Sequence, residues 1–175
     1  MAELDSATRS MQTRAPITAH RFRDVLSHYG SGVTVVTSLT DDGQPVGMTC
    51  QAFSNVSLNP PLVMFVAAET SHTLQQIRHS GHFAVNFLAA DQADLAARMA
   101  MNDRDKFANL TWTPTATGAP HIDAVVGYVD CTVHDIHDAG DHQIVVGHVR
   151  ETDAVAGTSA PPLLYQQGRY GTFTF

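Results

Sequence analysis

The sequence predicts a mainly β protein, an antiparallel barrel with short helices packed against its outside. Short apolar or β-branched runs bounded by turn residues dominate the 175-residue chain. Helical spacing of apolar residues occurs in only three short segments. Because strands and helices do not alternate regularly, a doubly wound nucleotide-binding sheet is disfavoured.

The first part of the chain predicts one helix followed by strands. Residues 1–16 are polar and aperiodic, so we expect a flexible arm before a single domain over residues 17–175. Thr18 is placed to cap a helix that ends at Gly30. The apolar residues of this helix recur at helical spacing, namely Phe22, Val25, Leu26 and Tyr29. Strands are predicted at 33–37 and 62–66. Between them a second strand begins at Pro45 and continues as an extended stretch to Ser57. Turn residues at 41–43 and 59–61 separate these segments.

The second part predicts two more helices and a long hairpin. Ser71 can cap a short helix that ends near Gly81, and Asp91 can cap another. A strand over 83–88 lies between these helices. Two further runs, 124–136 and 143–149, flank a turn at 138–141 and predict a hairpin. A short strand ends the chain.

Composition narrows the possible functions. Hydrophobic residues make up 43% and charged residues 15% of the chain, which is typical of a globular protein with some surface covered by another subunit. The net charge of −7 and the lack of a basic stripe argue against a nucleic-acid ligand. Cys50 and Cys131 are too few for a disulfide framework, and no long apolar run or signal peptide is visible. We therefore expect a cytoplasmic protein without a membrane segment.

Several common site motifs are missing. Gly30 and Gly32 precede a strand instead of following one, so they do not form a dinucleotide fingerprint, and no phosphate loop is present. Histidines and aspartates crowd residues 134–142, but residues three apart in a strand face opposite sides of the sheet. We therefore predict no metal site and expect a solvated hairpin tip.

Other residues suit a planar, phosphorylated ligand, although each also has an ordinary structural explanation. Gly47 allows a ring to approach the extended backbone of residues 48–51, or serves strand packing. Ser54 and Ser57 offer small hydroxyl groups, or only turn chemistry. The N-terminus of a helix beginning near Ser71 suits a phosphate, although most serines there are only caps. The candidate flavin- or nicotinamide-binding residues are Gly47, Met48, Thr49, Cys50, Gln51, Ser54, Ser57, Ser71, His72, Thr73, Lys106, His142, Arg169 and Tyr170.

An ordered set of motifs resembles the flavin reductase domain family, whose members supply reduced flavin to separate monooxygenases. The resemblance spans about residues 20–173 and is strong as a set, while no single motif decides it. The motifs are Gly32–Thr37, Pro45–Thr49, Ser57–Val63, Ser71–Leu74, Phe83–Asn86, Lys106-Phe107, Gly140–His142, Val145–Gly147 and Gly168–Gly171.

The resemblance implies a split β-barrel, a homodimer and a flavin held near the subunit interface. It implies FAD or FMN as the flavin, NADH as the reductant and a separate flavin-dependent monooxygenase as the partner. His142 matches the family's nicotinamide-associated histidine, so it is the predicted catalytic residue. Hydride transfer needs alignment of two cofactors and no protein nucleophile. The alternatives are a reductase or oxidase of another acceptor on this fold, a non-catalytic flavin-binding or redox-sensing module, and a structural barrel without flavin.

Overall fold

A computed structural model of the chain describes residues 16–102, 105–154 and 160–173. Apart from Pro16, the predicted arm over residues 1–16 lies outside these residues. The helices are α1 (Ala19–Ser27), α2 (His72–Ser80) and α3 (Ala93–Met99). The strands are β1 (Ser31–Gly32), β2 (Thr34–Leu39), β3 (Pro45–Cys50), β4 (Phe53–Leu58), β5 (Pro61–Ala68), β6 (His82–Phe87), β7 (Trp112–Pro114), β8 (Pro120–Ile122), β9 (Gly127–Ala139), β10 (His142–Ala154), β11 (Leu163–Gln166) and β12 (Arg169–Thr172).

The main sheet is antiparallel and curls back on itself. Its strand order is β3-β2-β6-β9-β10-β5-β4, so its two edges are the consecutive strands β3 and β4. The short link between these edges reaches across to β5, where the Val66 amide donates to the Ala52 carbonyl at 3.0 Å. The predicted mainly β, split-barrel fold with short helices is confirmed.

The core fills the inside of this sheet and anchors α2. Alternate residues of β5, namely Val63, Phe65 and Ala67, are buried, as the period-two pattern of a strand requires. Phe65 meets Phe83 edge to face at 5.0 Å. Leu74 and Ile77 of α2 are fully buried in the same cluster. The helix is therefore held firmly against the barrel.

Several predicted boundaries differ from the structure. The extended stretch predicted from Pro45 to Ser57 forms two strands, β3 and β4, separated at residues 51–52, and β10 continues past the predicted end at residue 149. Asp91 does not cap α3, because Gln92 occupies the N-cap position and its Oε1 accepts from the Ala89 amide at 2.9 Å. The predicted hairpin is confirmed, but β9 begins three residues later than expected, after Ala124 turns with φ of 61°. At its tip Gly140 has φ of 74°, which suits a two-residue turn.

Two smaller sheets complete the fold. β1, β11 and β12 form one, and β7 pairs with β8 in the other. The sheet of β1, β11 and β12 is joined to α1, because the backbone N–H of Gln167 donates to the Ser27 carbonyl at 2.9 Å. In the part of the chain that the structure describes, no helix is long and apolar enough to cross a membrane.

Candidate functional site

A cavity of about 930 Å³ opens along β3. Its volume lies near the upper end of the usual range for small-molecule sites. Four elements line it: the β2–β3 turn, the first four residues of β3, the N-terminus of α2 and the C-terminus of α3 with the segment after it. Because β3 is an edge strand, one row of its backbone N–H and C=O groups faces away from the sheet.

The N-terminus of α2 forms one wall of the cavity. Ser71 is the N-cap, and its Oγ accepts from the Leu74 amide at 3.3 Å and donates to the Met48 sulfur at 3.2 Å. His72 is exposed and Thr73 is buried, and both line the cavity. The first N–H groups of a helix have no partner within it and lie at the positive end of its dipole. This wall therefore suits an anionic group such as a phosphate.

Close packing around Gly47 forms a second wall. A Cβ at this position would lie 3.2 Å from the Phe107 ring and 3.3 Å from the Met99 sulfur. Lys106 Nζ donates to the Gly47 carbonyl at 3.1 Å and to the Met99 carbonyl at 2.9 Å. The lysine therefore joins β3 to the C-terminal end of α3 while its positive charge stays at the cavity.

The donors around the cavity fit a flavin nucleotide. Hydroxyl groups, helix N–H groups and an ammonium group are the partners that a phosphate requires. At Gly47 the space of the missing side chain is filled by Phe107 and Met99, so this glycine serves close packing and does not leave room for a ring. Six of the fourteen predicted binding residues line this one cavity, namely Gly47, Met48, Ser71, His72, Thr73 and Lys106.

The next residues along the chain lead away from this cavity. Thr49 Oγ1 donates to the Ala96 carbonyl at 2.5 Å, so its hydroxyl joins β3 to α3. Cys50 is buried in the barrel core, where burial raises the pKa of its thiol. Gln51 lines a second cavity of about 450 Å³ at the other end of β3, together with Tyr29 and Phe53.

The remaining predicted residues lie elsewhere on the surface. Ser54 and Ser57 are on β4, where Ser54 Oγ donates to the Asn55 carbonyl at 3.1 Å. Arg169 and Tyr170 are on β12, in the small sheet with β1 and β11. Neither lines the large cavity, and Tyr170 contacts the Tyr165 ring at 5.2 Å. Partial burial, with a smaller effect of Tyr165, raises the pKa of Tyr170.

His142 lies beside the large cavity without lining it. It pairs across the sheet with Ala68, which does line the cavity, and directly opposed residues point to the same face of a sheet. The Asp141 carbonyl accepts from the Glu69 amide at 3.1 Å, which ties the hairpin tip to the loop before α2. His142 Nδ1 lies 2.7 Å from Asp141 Oδ1, and this hydrogen bond lowers the pKa of the Asp141 carboxyl.

Several cavity residues were not predicted from the sequence. Phe107 was visible only as part of the Lys106-Phe107 motif, and the 41–43 segment was interpreted only as a turn. The unpredicted polar residues are on the β2–β3 turn, before α2 and after α3, namely Thr40, Asp42, Gln44, Thr70 and Asn102. Only the packing of the turn against α2 and α3 brings them to the same cavity.

Comparison with known proteins agrees with this fold. A split barrel whose cavity combines a helix N-terminus suited to an anion with the edge of a strand is typical of flavin-nucleotide-binding proteins. Residues 26–174 match the flavin reductase like domain, so the chain belongs to that family.

Individual relatives cover most of the chain. It is 42% identical to the "flavin-dependent monooxygenase, reductase subunit HsaB" of Mycobacterium tuberculosis, over 89% of this chain and 83% of that protein. It is 39% identical to the "FMN reductase (NADH) SmoA" of Agrobacterium fabrum, over 87% and 85% of the two chains. The crystal structure of a nitrilotriacetate monooxygenase component B homologue from Mycobacterium thermoresistibile superposes with a TM-score of 0.86, at 41% identity and over 89% and 86% of the chains.

Proposed function

We propose that this chain is an NAD(P)H-dependent flavin reductase that supplies reduced flavin to a separate flavin-dependent monooxygenase. One observation carries the proposal: six residues predicted to bind flavin gather around one cavity beside the edge strand β3. The family and the relatives named for flavin reduction support it. Two free, buried cysteines also support a cytoplasmic location.

The chain's own residues bind and align the reactants. The α2 N-terminus with Ser71 and Thr73 would hold the flavin phosphate, and the backbone of β3 would meet the polar edge of the ring. Lys106 holds β3 and α3 together, which fixes the width of the cavity. When bound, the flavin accepts a hydride from the reduced nicotinamide, and this chemistry belongs to the two cofactors.

Flavin-dependent oxidation of NADH tests the proposal directly. Purified protein is mixed with NADH or NADPH, with and without FAD or FMN, and loss of the reduced nicotinamide is followed by absorbance. We expect oxidation that depends on added flavin, saturates with it and is faster with NADH. Flavin binding without oxidation would instead indicate a sensor or another electron donor. Oxidation coupled only to a different acceptor would indicate another reductase on this fold.

His142 is proposed to contact the nicotinamide, because its position beside Ala68 places it next to the cavity. In His142→Ala we expect the KM for NADH to rise by about tenfold, the size of one lost hydrogen bond to a polar group. The Kd of the flavin should change much less. His134→Ala, an exposed histidine on the neighbouring β9, is the control. Equal weakening of NADH and flavin binding would remove this role for His142.

We also propose a homodimer that forms through the outer face of β5 and β10. On this face Met64 pairs with Val146 and Val66 pairs with Ile144, so four apolar side chains lie together outside the barrel. Each of the four keeps part of its surface accessible in the single chain. Apolar residues at the centre of a sheet face are typical of subunit interfaces. A second copy of the chain is the occupant that the low charge fraction favours.

Sedimentation of two matched variants tests the dimer. Met64→Arg places a charge on the proposed interface, and we expect a monomer at micromolar concentration. Leu26→Arg places the same charge on the exposed face of α1, and we expect it to remain a dimer. If the wild type is a monomer, or if only Leu26→Arg dissociates, this interface is wrong.

A further inference from the structure

The tip of the β9–β10 hairpin carries His142 and lies at the surface of the protein. None of residues 134–142 is buried, and the turn at Gly140 and Asp141 is exposed. Beyond the strand ladders, the Glu69 amide donates to the Asp141 carbonyl at 3.1 Å and ties the tip to the loop before α2. The position of His142 therefore depends on the few contacts that hold this tip.

Gln143 anchors the tip from inside the barrel. It follows His142 directly, so the two side chains lie on opposite faces of β10. The side chain of Gln143 is buried, and the residue is only 3% exposed. Its Nε2 donates to Asp138 Oδ1 at 2.8 Å, and Asp138 is directly opposite it on β9. This side-chain hydrogen bond closes the hairpin one pair below His142, which itself pairs with Ala139.

Packing alone does not explain an amide at this position. The other buried residues on the inner face of β5 and β10 carry no polar side chain, namely Val63, Phe65, Ala67, Val145 and Gly147. Gln143 Oε1 is buried and has no hydrogen-bond partner among the described residues. A buried carbonyl without a partner lowers stability, so an apolar side chain of the same length would suit this core at least as well. A polar group kept in such a place calls for a reason other than packing.

We propose that Gln143 is a positioning residue for nicotinamide binding, because its bond to Asp138 holds the hairpin tip so that His142 stays beside the large cavity. This inference rests on the proposed function, since it takes His142 as the nicotinamide contact. Gln143 lines neither of the two cavities described above, so it acts on the nicotinamide only through the tip. A residue that fixes the geometry of a contact residue changes ligand affinity without touching the ligand.

Steady-state oxidation of NADH and flavin titration test this role in three variants. Gln143→Met keeps the length of the side chain and removes its amide. We expect the KM for NADH to rise about threefold, less than in His142→Ala, because the nicotinamide contact is misplaced but not lost. The Kd of the flavin should not change. Asp138→Ala should raise the KM for NADH to the same extent, whereas Asp138→Asn should keep the wild-type value, since asparagine retains an acceptor oxygen.

Two comparisons separate positioning from a purely structural role. In the His142→Ala background, Gln143→Met should cause no further rise in the KM for NADH, because the residue that it positions is gone. Gln143→Met should not lower Tm, since loss of the hydrogen bond is offset by removal of the unpaired carbonyl. Val145→Ala truncates the next inward-facing residue of β10, so it should lower Tm and leave the KM for NADH unchanged.

Several results would overturn the positioning role. Gln143→Met could lower Tm and leave the KM for NADH unchanged, raise the flavin Kd as much as that KM, or add its full effect to that of His142→Ala. Equal effects of Asp138→Asn and Asp138→Ala would assign the change to the carboxylate charge and not to the hydrogen bond. In all these cases a wild type that oxidises NADH with added flavin leaves the proposed function intact. If the wild type oxidises no NADH, both fail together.

Discussion

The helices α1 and α2 have the same length but different surroundings. Each has nine residues and begins with a hydroxyl cap, Thr18 for α1 and Ser71 for α2. α2 buries Thr73, Leu74 and Ile77, whereas no residue of α1 is buried. Local sequence signals for a helix are therefore equally good in both, and only tertiary packing separates them.

The two helices also present opposite ends to the two cavities. α2 directs its N-terminus into the large cavity, where unpaired N–H groups favour an anion. α1 leads through its C-terminal end to Tyr29 and Gly30, which line the smaller cavity. The C-terminal end of a helix carries partial negative charge, so it disfavours phosphate. This difference in polarity supports the proposal that the large cavity holds the flavin phosphate.

Truncating one leucine on each helix should give the largest contrast. Leu74 is fully buried, and Leu74→Ala should lower the free energy of unfolding by about 2–5 kcal/mol. Leu26 is 52% exposed, and Leu26→Ala should change the free energy of unfolding by no more than about 0.5 kcal/mol. Urea denaturation measures both. A comparable loss of unfolding free energy in Leu26→Ala would mean that another surface covers α1 in solution. The difference in burial between α1 and α2 would then hold only for the single chain.

A glycine in each cavity allows the next comparison. In Gly47→Ala the new methyl group would press on Phe107 and Met99, and we expect a loss of about 1 kcal/mol in stability and weaker flavin binding. Gly32, in the smaller cavity, has no atom within 4 Å of an added Cβ, so Gly32→Ala should leave flavin binding unchanged. Thermal melting and flavin titration measure the two effects. A similar loss of flavin affinity in both variants would contradict the assignment of flavin to the large cavity.

The elements predicted from the sequence are those whose signals are local. Three signals within eleven residues predict α2 correctly. They are the Ser71 cap, the helical spacing of Leu74 and Ile77, and Gly81, which ends the helix in the left-handed backbone conformation. Asp91 was predicted wrongly as a cap because the neighbouring Gln92 side chain bonds back to the Ala89 amide. That competition depends on the path of the chain before the helix, which the residue types alone do not specify.

The cavity itself was only half predictable. The α2 wall and the middle of β3 could be anticipated from motifs that resemble the family. The opposite wall required the β2–β3 turn, Met99 and Phe107 to meet by packing, and their separation in sequence hides that contact. For Arg169 the motif predicted flavin binding, but the residue is on β12, which belongs to a different sheet from β3 and the large cavity. Its role in flavin binding remains a prediction.

The smallest expected effect compares the caps of the two helices. Ser71→Ala and Thr18→Ala each remove a hydroxyl that accepts from a first-turn amide, at 3.3 Å and 3.2 Å, so each should cost about 1 kcal/mol of stability. Only Ser71 is proposed to meet the flavin phosphate. Ser71→Ala should therefore weaken FMN binding more than riboflavin binding, because riboflavin has no phosphate, and Thr18→Ala should affect neither flavin. Equal effects of Ser71→Ala on FMN and riboflavin would show that this serine acts only as a helix cap, and the phosphate would then have to bind elsewhere along the cavity.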